Sequence, residues 1–150
     1  MTDLYDKDVY SWALKQADAL RRRSANEIDW DNVAEEIEDV ARSEAREWRN
    51  RMAVLLLHLL KWRFQPQRRG RSWEASIKGQ RIALAIHMRD NPSLKAIIDA
   101  LFTDAYAIAR TEAFAETDLD DAVFPEVNPF TLDQAMDPAF WPEPPDEAAR

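Results

Sequence analysis

Between Asn32 and Phe64 the chain contains neither Gly nor Pro, and this uninterrupted stretch limits the fold more than any other feature. So long a run without a breaker exceeds any ordinary strand and reads as one helix, spanning about 50 Å at ~1.5 Å per residue. Its character changes midway. The first half, around Glu35-Glu36-Ile37-Glu38-Asp39-Val40, has a single apolar stripe, whereas Val54-Leu55-Leu56-Leu57-His58-Leu59-Leu60 is apolar nearly all round and must be covered on most sides. The expected buried stripe is Trp30, Val33, Ile37, Val40, Ala41, Trp48, Met52, Leu55, Leu56, Leu59 and Trp62. On the outer face Glu38 precedes Arg42 and Glu47 precedes Arg51, the favourable order for i to i+4 pairs. Asn32 followed by Glu35 has the spacing of a capped helix start.

The remaining segments read as cover for this helix. From Asp6 to Arg23, Val9, Ala13, Ala17 and Leu20 recur at helical spacing, with Tyr10, Trp12 and Leu14 widening the face. Acids lead that helix and Arg21-Arg22-Arg23 close it, which suits the helix dipole and makes the triplet a C-terminal turn. Pro66 and Gly70 mark a loop over Gln65–Arg71, after which Ser72 is the expected cap of a helix with Trp73, Ile77, Gln80, Leu84 and Met88 on one face. Ile82 and Ile86 broaden that face. Asn91-Pro92 ends it and starts another helix, whose Leu94, Ile97, Ile98, Leu101, Phe102, Ala105, Ile108, Ala109 and Ala113 keep a 3.6-residue period to about Glu116. Six of the eight prolines follow residue 124, interleaved with Phe124, Phe130, Phe140 and Trp141. They predict an extended strap on the bundle, with a short helix over Leu132–Met136 and a capping box from Thr131 and Gln134. The expected fold is therefore all-α: about four main helices around a long central one, with a Pro- and aromatic-rich C-terminal strap. Residues 1–142 form the expected single domain and 143–150 a frayed acidic tail.

Composition narrows the function. There is no cysteine, so disulfides, thiolate zinc sites and cysteine nucleophiles are excluded. The longest apolar run falls well short of the ~20 residues that cross a bilayer, and the first residues lack the basic and apolar regions of a secretory signal. A cytoplasmic protein without a membrane partner is expected. The net charge of −8 is uneven: residues 1–110 hold 19 Lys and Arg against 17 Asp and Glu, a net of +2, and residues 111–150 hold one Arg against 11 acids, a net of −10. A local basic site on the helical part therefore remains compatible with an acidic chain.

Candidate polar residues are few. A carboxylate-bridged dimetal site in a helical bundle needs Glu-x-x-His motifs, and none occurs; His58 has no acid within four positions and His87 has only Asp90. His58 reads as a core-edge histidine with one satisfied nitrogen, or else as a functional group in a crevice. Glu44 falls on the apolar stripe between Val40 or Ala41 and Trp48, where a lone carboxylate is costly. It calls for a partner such as Arg69, Arg71 or Arg81, or else marks a crevice. Lys61, Arg63, Arg68, Arg69 and Arg71 lie within eleven residues without an acid, among Trp62, Phe64 and Trp73. Such a mixture can bind phosphate by bidentate contacts and stacking, or pair internally with the Glu35–Asp39 face or the acidic C-terminal region. No nucleophile triad, Gly-rich phosphate loop or nucleotide fingerprint is present, so no catalytic residue, cofactor or metal is expected.

Several blocks carry a family resemblance: Leu4-Tyr5-Asp6-Lys7-Asp8, Glu35-Glu36-Ile37-Glu38 to Ser43-Glu44, His58-Leu59-Leu60-Lys61-Trp62, Arg69 to Trp73, and Phe130-Thr131-Leu132 to Phe140-Trp141-Pro142. In this order, over about residues 4–142, they resemble the bacterial domain-of-unknown-function family 29. The resemblance implies an all-helical protein and carries no activity. Ala41 and Asp118 depart from glycines that the family pattern implies. The functional expectation is a non-enzymatic module that binds another macromolecule, a protein partner or a second copy of itself; the alternative is anion or nucleic-acid binding through Lys61 to Arg71.

Overall fold

A computed structural model of the chain describes residues 2–146, and among them it contains helices and loops but no strand. The helices are α1 (Thr2–Lys7), α2 (Val9–Arg21), α3 (Trp30–Phe64), α4 (Arg71–Asp90), α5 (Ile98–Glu116) and α6 (Leu132–Met136), with 3-10 turns at Ala25–Glu27, Pro66–Arg68, Pro92–Ile97 and Asp121–Val123. The all-α expectation holds, with α2 to α5 as the four main helices and the 35-residue α3 the longest. The chain forms two compact units, Met1–Ser43 and Glu44–Arg150.

In the first unit the expected single helix from Asp6 to Arg23 is broken at Asp8, whose carboxylate accepts the Ser11 amide at 3.0 Å and caps α2. The buried face of α2 overlaps the expected one only in part, at Trp12. Trp12, Gln16 and Ala19 are buried, while Val9, Tyr10, Leu14 and Leu20 are exposed. The reason is polar. Gln16 Oε1 accepts the Asp29 amide at 2.7 Å, its Nε2 donates to Glu27 O at 3.4 Å, and Trp12 Nε1 donates to Asp29 Oδ2 at 3.1 Å. The connection to α3 is thus held by a polar residue that a hydrophobic period counts as outward. Asn32 does not cap; its Nδ2 donates to Asp29 Oδ2 at 2.8 Å. That bond leads in holding the Asp29 carboxyl below its usual value, against the desolvation that opposes it. Along α3, Tyr5 donates to Glu36 Oε1 at 2.5 Å, and Arg42 gathers Glu35, Glu38 and Asp39 at 2.9, 3.4 and 2.7 Å. The opposite residues of the expected stripe are uncovered: Trp30, Ile37 and Val40 are 60%, 65% and 64% exposed.

The second unit contains the core. Trp48, Met52, Leu55, Leu56, Leu59 and Leu60 of α3 meet Ile77 and Leu84 of α4, Ala105, Ala109 and Ala113 of α5, and Phe124, Phe130 and Ala135. The alanine row at four-residue spacing keeps α5 thin where it faces leucines. α4 begins at Arg71 with Gly70 at its N-cap, so Ser72 lies in the first turn and does not cap it. Asn91 closes α4 by donating to His87 O at 3.1 Å, and Pro92 starts a 3-10 turn ahead of α5. The C-terminal segment is the expected strap, and α6 carries the expected capping box, Gln134 N to Thr131 Oγ1 at 3.1 Å and Thr131 N to Gln134 Oε1 at 3.0 Å. Arg81, 4% exposed, fixes the strap by donating to Ala135 O and Phe140 O at 2.7 and 2.8 Å, and Trp141 stacks on Trp62 with centroids 4.6 Å apart. Of the tail expected over 143–150, residues 147–150 lie outside the described residues.

Candidate functional site

Three sets of residues could carry function. The first is the basic turn, where the cations disperse. Lys61 Nζ pairs with Glu116 Oε2 at 3.0 Å and lies 5.6 Å from the Trp73 ring. Arg69 donates to Trp62 O at 2.7 Å and to Pro142 O at 3.2 Å while covering the Trp62 ring. It is a clasp for the strap. Arg63 covers Phe64, and its Nε is buried without a partner; Arg68 and Arg71 are exposed. Lys61 thus finds its acid in the acidic C-terminal region, while Glu35, Glu36, Glu38 and Asp39 have the Arg42 and Tyr5 partners described above. Two exposed arginines are a thin basis for a phosphate-binding stripe, which draws affinity from several simultaneous contacts.

The second set surrounds Glu44. Arg69 donates to Trp62 O and Pro142 O, Arg81 donates to Ala135 O and Phe140 O, Arg71 is exposed, and among the described residues no arginine pairs with Glu44. Its partner is His87 of α4, whose Nε2 lies 3.4 Å from Glu44 Oε2 and makes a 2.9 Å hydrogen bond to Glu44 O. Glu47, one helical turn along α3, places Oε2 4.0 Å from His87 Nδ1, and its Oε1 accepts Arg51 at 3.1 Å. The His87 side chain is 10% exposed, the two carboxylates 40% and 47%. Glu44 is thus half-buried at the rim of the core. His87 was missed from the sequence because it lies 43 residues from Glu44, beyond any local pattern. The one signal available was Glu44-x-x-Glu47, two acids on one helix face. His58 is not part of this group; its Nδ1 bonds Val54 O at 2.8 Å within α3.

The third set is apolar. In the first unit α2 exposes Val9, Tyr10, Leu14 and Leu20, and α3 exposes Trp30, Ile37 and Val40. Scattered exposed hydrophobics are ordinary, but Trp30, Ile37 and Val40 recur at intervals of seven and three and so line one helix face. Acids and Arg42 flank them.

No curated protein and no solved structure matched the chain. A family model described as a domain of unknown function, DUF29, matches residues 4–141. With that span covering nearly all of its described residues, the chain belongs to the DUF29 family.

Proposed function

We propose that this protein is a non-enzymatic interaction module whose first partner is a second copy of itself, paired through the α3 face of Trp30, Ile37 and Val40. The exposure of those three side chains carries the reading. An apolar stripe at coiled-coil spacing on a helix is covered most simply by the same stripe of another copy, related by a two-fold axis. Charge selects the antiparallel sense. Five acids and no base occupy residues 31–39, so parallel copies would set acid against acid. Antiparallel copies that oppose Ile37 to Val40 place Glu35 opposite Arg42 twice over. These two residues already pair at 2.9 Å within one chain, so both are ready to exchange partners.

The magnitudes set the expected strength. Burying a large aliphatic side chain contributes about 1.5–3 kcal/mol. Two copies each of Ile37 and Val40, with Trp30 adding area, offset an association cost of about 4–15 kcal/mol only narrowly. Weak, concentration-dependent dimerisation is expected, with a dissociation constant of about 1 mM for a surplus of about 4 kcal/mol.

Sedimentation analysis over a wide concentration range tests this. The double variant Ile37→Glu/Val40→Glu should remain monomeric with unchanged helical circular dichroism, because both positions are exposed in the single chain. Glu35→Arg should weaken the dimer, and Glu35→Arg with Arg42→Glu should restore it. A wild-type chain that stays monomeric at the highest concentrations, or a dimer indifferent to Ile37→Glu/Val40→Glu, would overturn the proposal.

A further inference from the structure

We infer that Glu44, Glu47 and His87 form a binding site for one divalent transition-metal cation of the zinc class. The three side chains each offer a ligand atom, and these atoms lie within 4.8 Å of one another. Proximity of acids would not suffice; the state of the histidine supplies the second observation. A carbonyl oxygen can only accept, so the 2.9 Å contact between His87 Nε2 and Glu44 O requires the hydrogen to sit on Nε2. In the neutral ring Nδ1 then carries a lone pair. No hydrogen bond reaches Nδ1 among the described residues, while the side chain as a whole is 10% exposed. A metal-binding histidine is typically arranged in this way, with one ring N–H donated to a backbone carbonyl to fix the tautomer and the other nitrogen turned to the ion.

Nδ1 faces Glu47 Oε2 across 4.0 Å, two lone-pair donors with no proton between them in the neutral ring. Metal–nitrogen and metal–oxygen bonds of about 2.0–2.2 Å bridge that separation with the ion near the line between the two atoms, and a small inward turn of either side chain brings the angle toward tetrahedral. Arg51 holds the other oxygen, Glu47 Oε1, at 3.1 Å and so leaves Oε2 to face the ring. Glu44 neighbours Glu47 on the same face of α3; its Oε2 lies 3.4 Å from His87 Nε2 and supplies the third ligand by turning toward the Nδ1 side. One imidazole and two carboxylates suit Zn²⁺, Mn²⁺ or Co²⁺. Three protein ligands leave room for water or a ligand atom from a partner.

Titration of the full chain with Zn²⁺ near neutral pH, followed calorimetrically and by competition with a chromophoric chelator, tests the assignment. Co²⁺ absorption reports the ligand set. One equivalent is expected. His87→Gln, whose amide can still donate to Glu44 O, and Glu47→Gln should each weaken binding at least ten-fold, and Zn²⁺ should raise the thermal midpoint of the wild type but not of His87→Gln. His58→Gln, which removes the other histidine, should leave binding unchanged. Circular dichroism of each variant separates loss of the site from loss of the fold, and Glu47→Gln, at a half-exposed position, keeps the test open if His87→Gln unfolds. Absence of stoichiometric binding, or binding that His58→Gln removes and His87→Gln does not, would overturn the inference.

Discussion

Gln16 and Arg81 occupy buried positions on helix faces because each satisfies backbone groups that hydrocarbon would leave unpaired. Gln16 serves both an amide and a carbonyl of the loop before α3, and Arg81 donates to carbonyls at the end of α6 and at Phe140. Hydrogen bonds to a charged donor contribute about 1.5–3 kcal/mol each, enough to offset much of the cost of burying a guanidinium. That burial lowers the Arg81 pKa, with Asp137 opposing. Tyr5 shows the same economy in the first unit. Its hydroxyl donates to Glu36, and that bond, with burial and the nearby carboxylates adding to it, raises the phenol from 10.0 to about 12. A raised folded-state value means that the folded chain holds the proton more tightly than the unfolded one. The resulting stability is present in full below pH 10 and is lost as pH rises from there through about 12. The difference in urea midpoint between wild type and Tyr5→Phe should therefore be largest below pH 10 and shrink above it. A difference that stays constant across that range would remove the Tyr5–Glu36 bond as its cause.

Elements set by local chemistry were legible in the sequence, and faces set by distant partners were not. The α6 capping box follows from Thr131 and Gln134 alone, and the end of α4 from Asn91-Pro92. The breaker-free run became α3 within two residues of its expected start. The outward faces were misread where a polar residue does the burying. On α2, periodicity chose Val9, Ala13, Ala17 and Leu20 with Trp12 on the widened face; Trp12 is buried, and Gln16 joins it because the loop beyond offers them a carboxylate and an amide. Among candidate site residues, His58 bonds within its own helix, whereas the Lys61–Glu116 and Glu44–His87 pairings join distant parts of the chain and need the fold. The end of α2 carries a testable strain. Arg23 has φ of 56°, while Ser24 N bonds Ala19 O at 2.9 Å and Arg23 N bonds Leu20 O at 3.1 Å. This is a Schellman closure with arginine where glycine is usual. The left-handed conformation costs a residue with a Cβ roughly 1–2 kcal/mol, part of which glycine returns through its freer unfolded chain. Arg23→Gly should therefore stabilise the protein by about 0.5–1 kcal/mol and Arg23→Ala should not. Equal midpoints for the two variants would show that the conformation carries no strain.

Burial along α3 is so uneven that a single continuous helix should open at more than one free energy. Met52, Leu55, Leu56, Leu59 and Leu60 are fully buried, and their backbone amides can exchange only when the surrounding core comes apart. Between Trp30 and Arg42 the helix instead exposes Trp30, Ile37 and Val40 and relies on surface ion pairs, which solvent screens and which contribute little. Local opening there costs far less than global unfolding. Native-state hydrogen exchange in dilute protein should therefore find amides at 36–42 exchanging at least about ten times faster than those at 55–60, a gap of about 1.4 kcal/mol or more. Equal protection would mean that the helix opens as one cooperative unit. The same measurement bears on self-association. Pairing of the exposed face would cover Ile37 and Val40 without touching Leu55 to Leu60, so raising the protein concentration should slow exchange at 36–42 selectively. In Ile37→Glu/Val40→Glu the slow-exchanging set should persist and the concentration dependence vanish. Protection at 36–42 that is already high in dilute protein would place the stability of this segment in its own hydrogen bonds, Tyr5 to Glu36 foremost, and not in a partner.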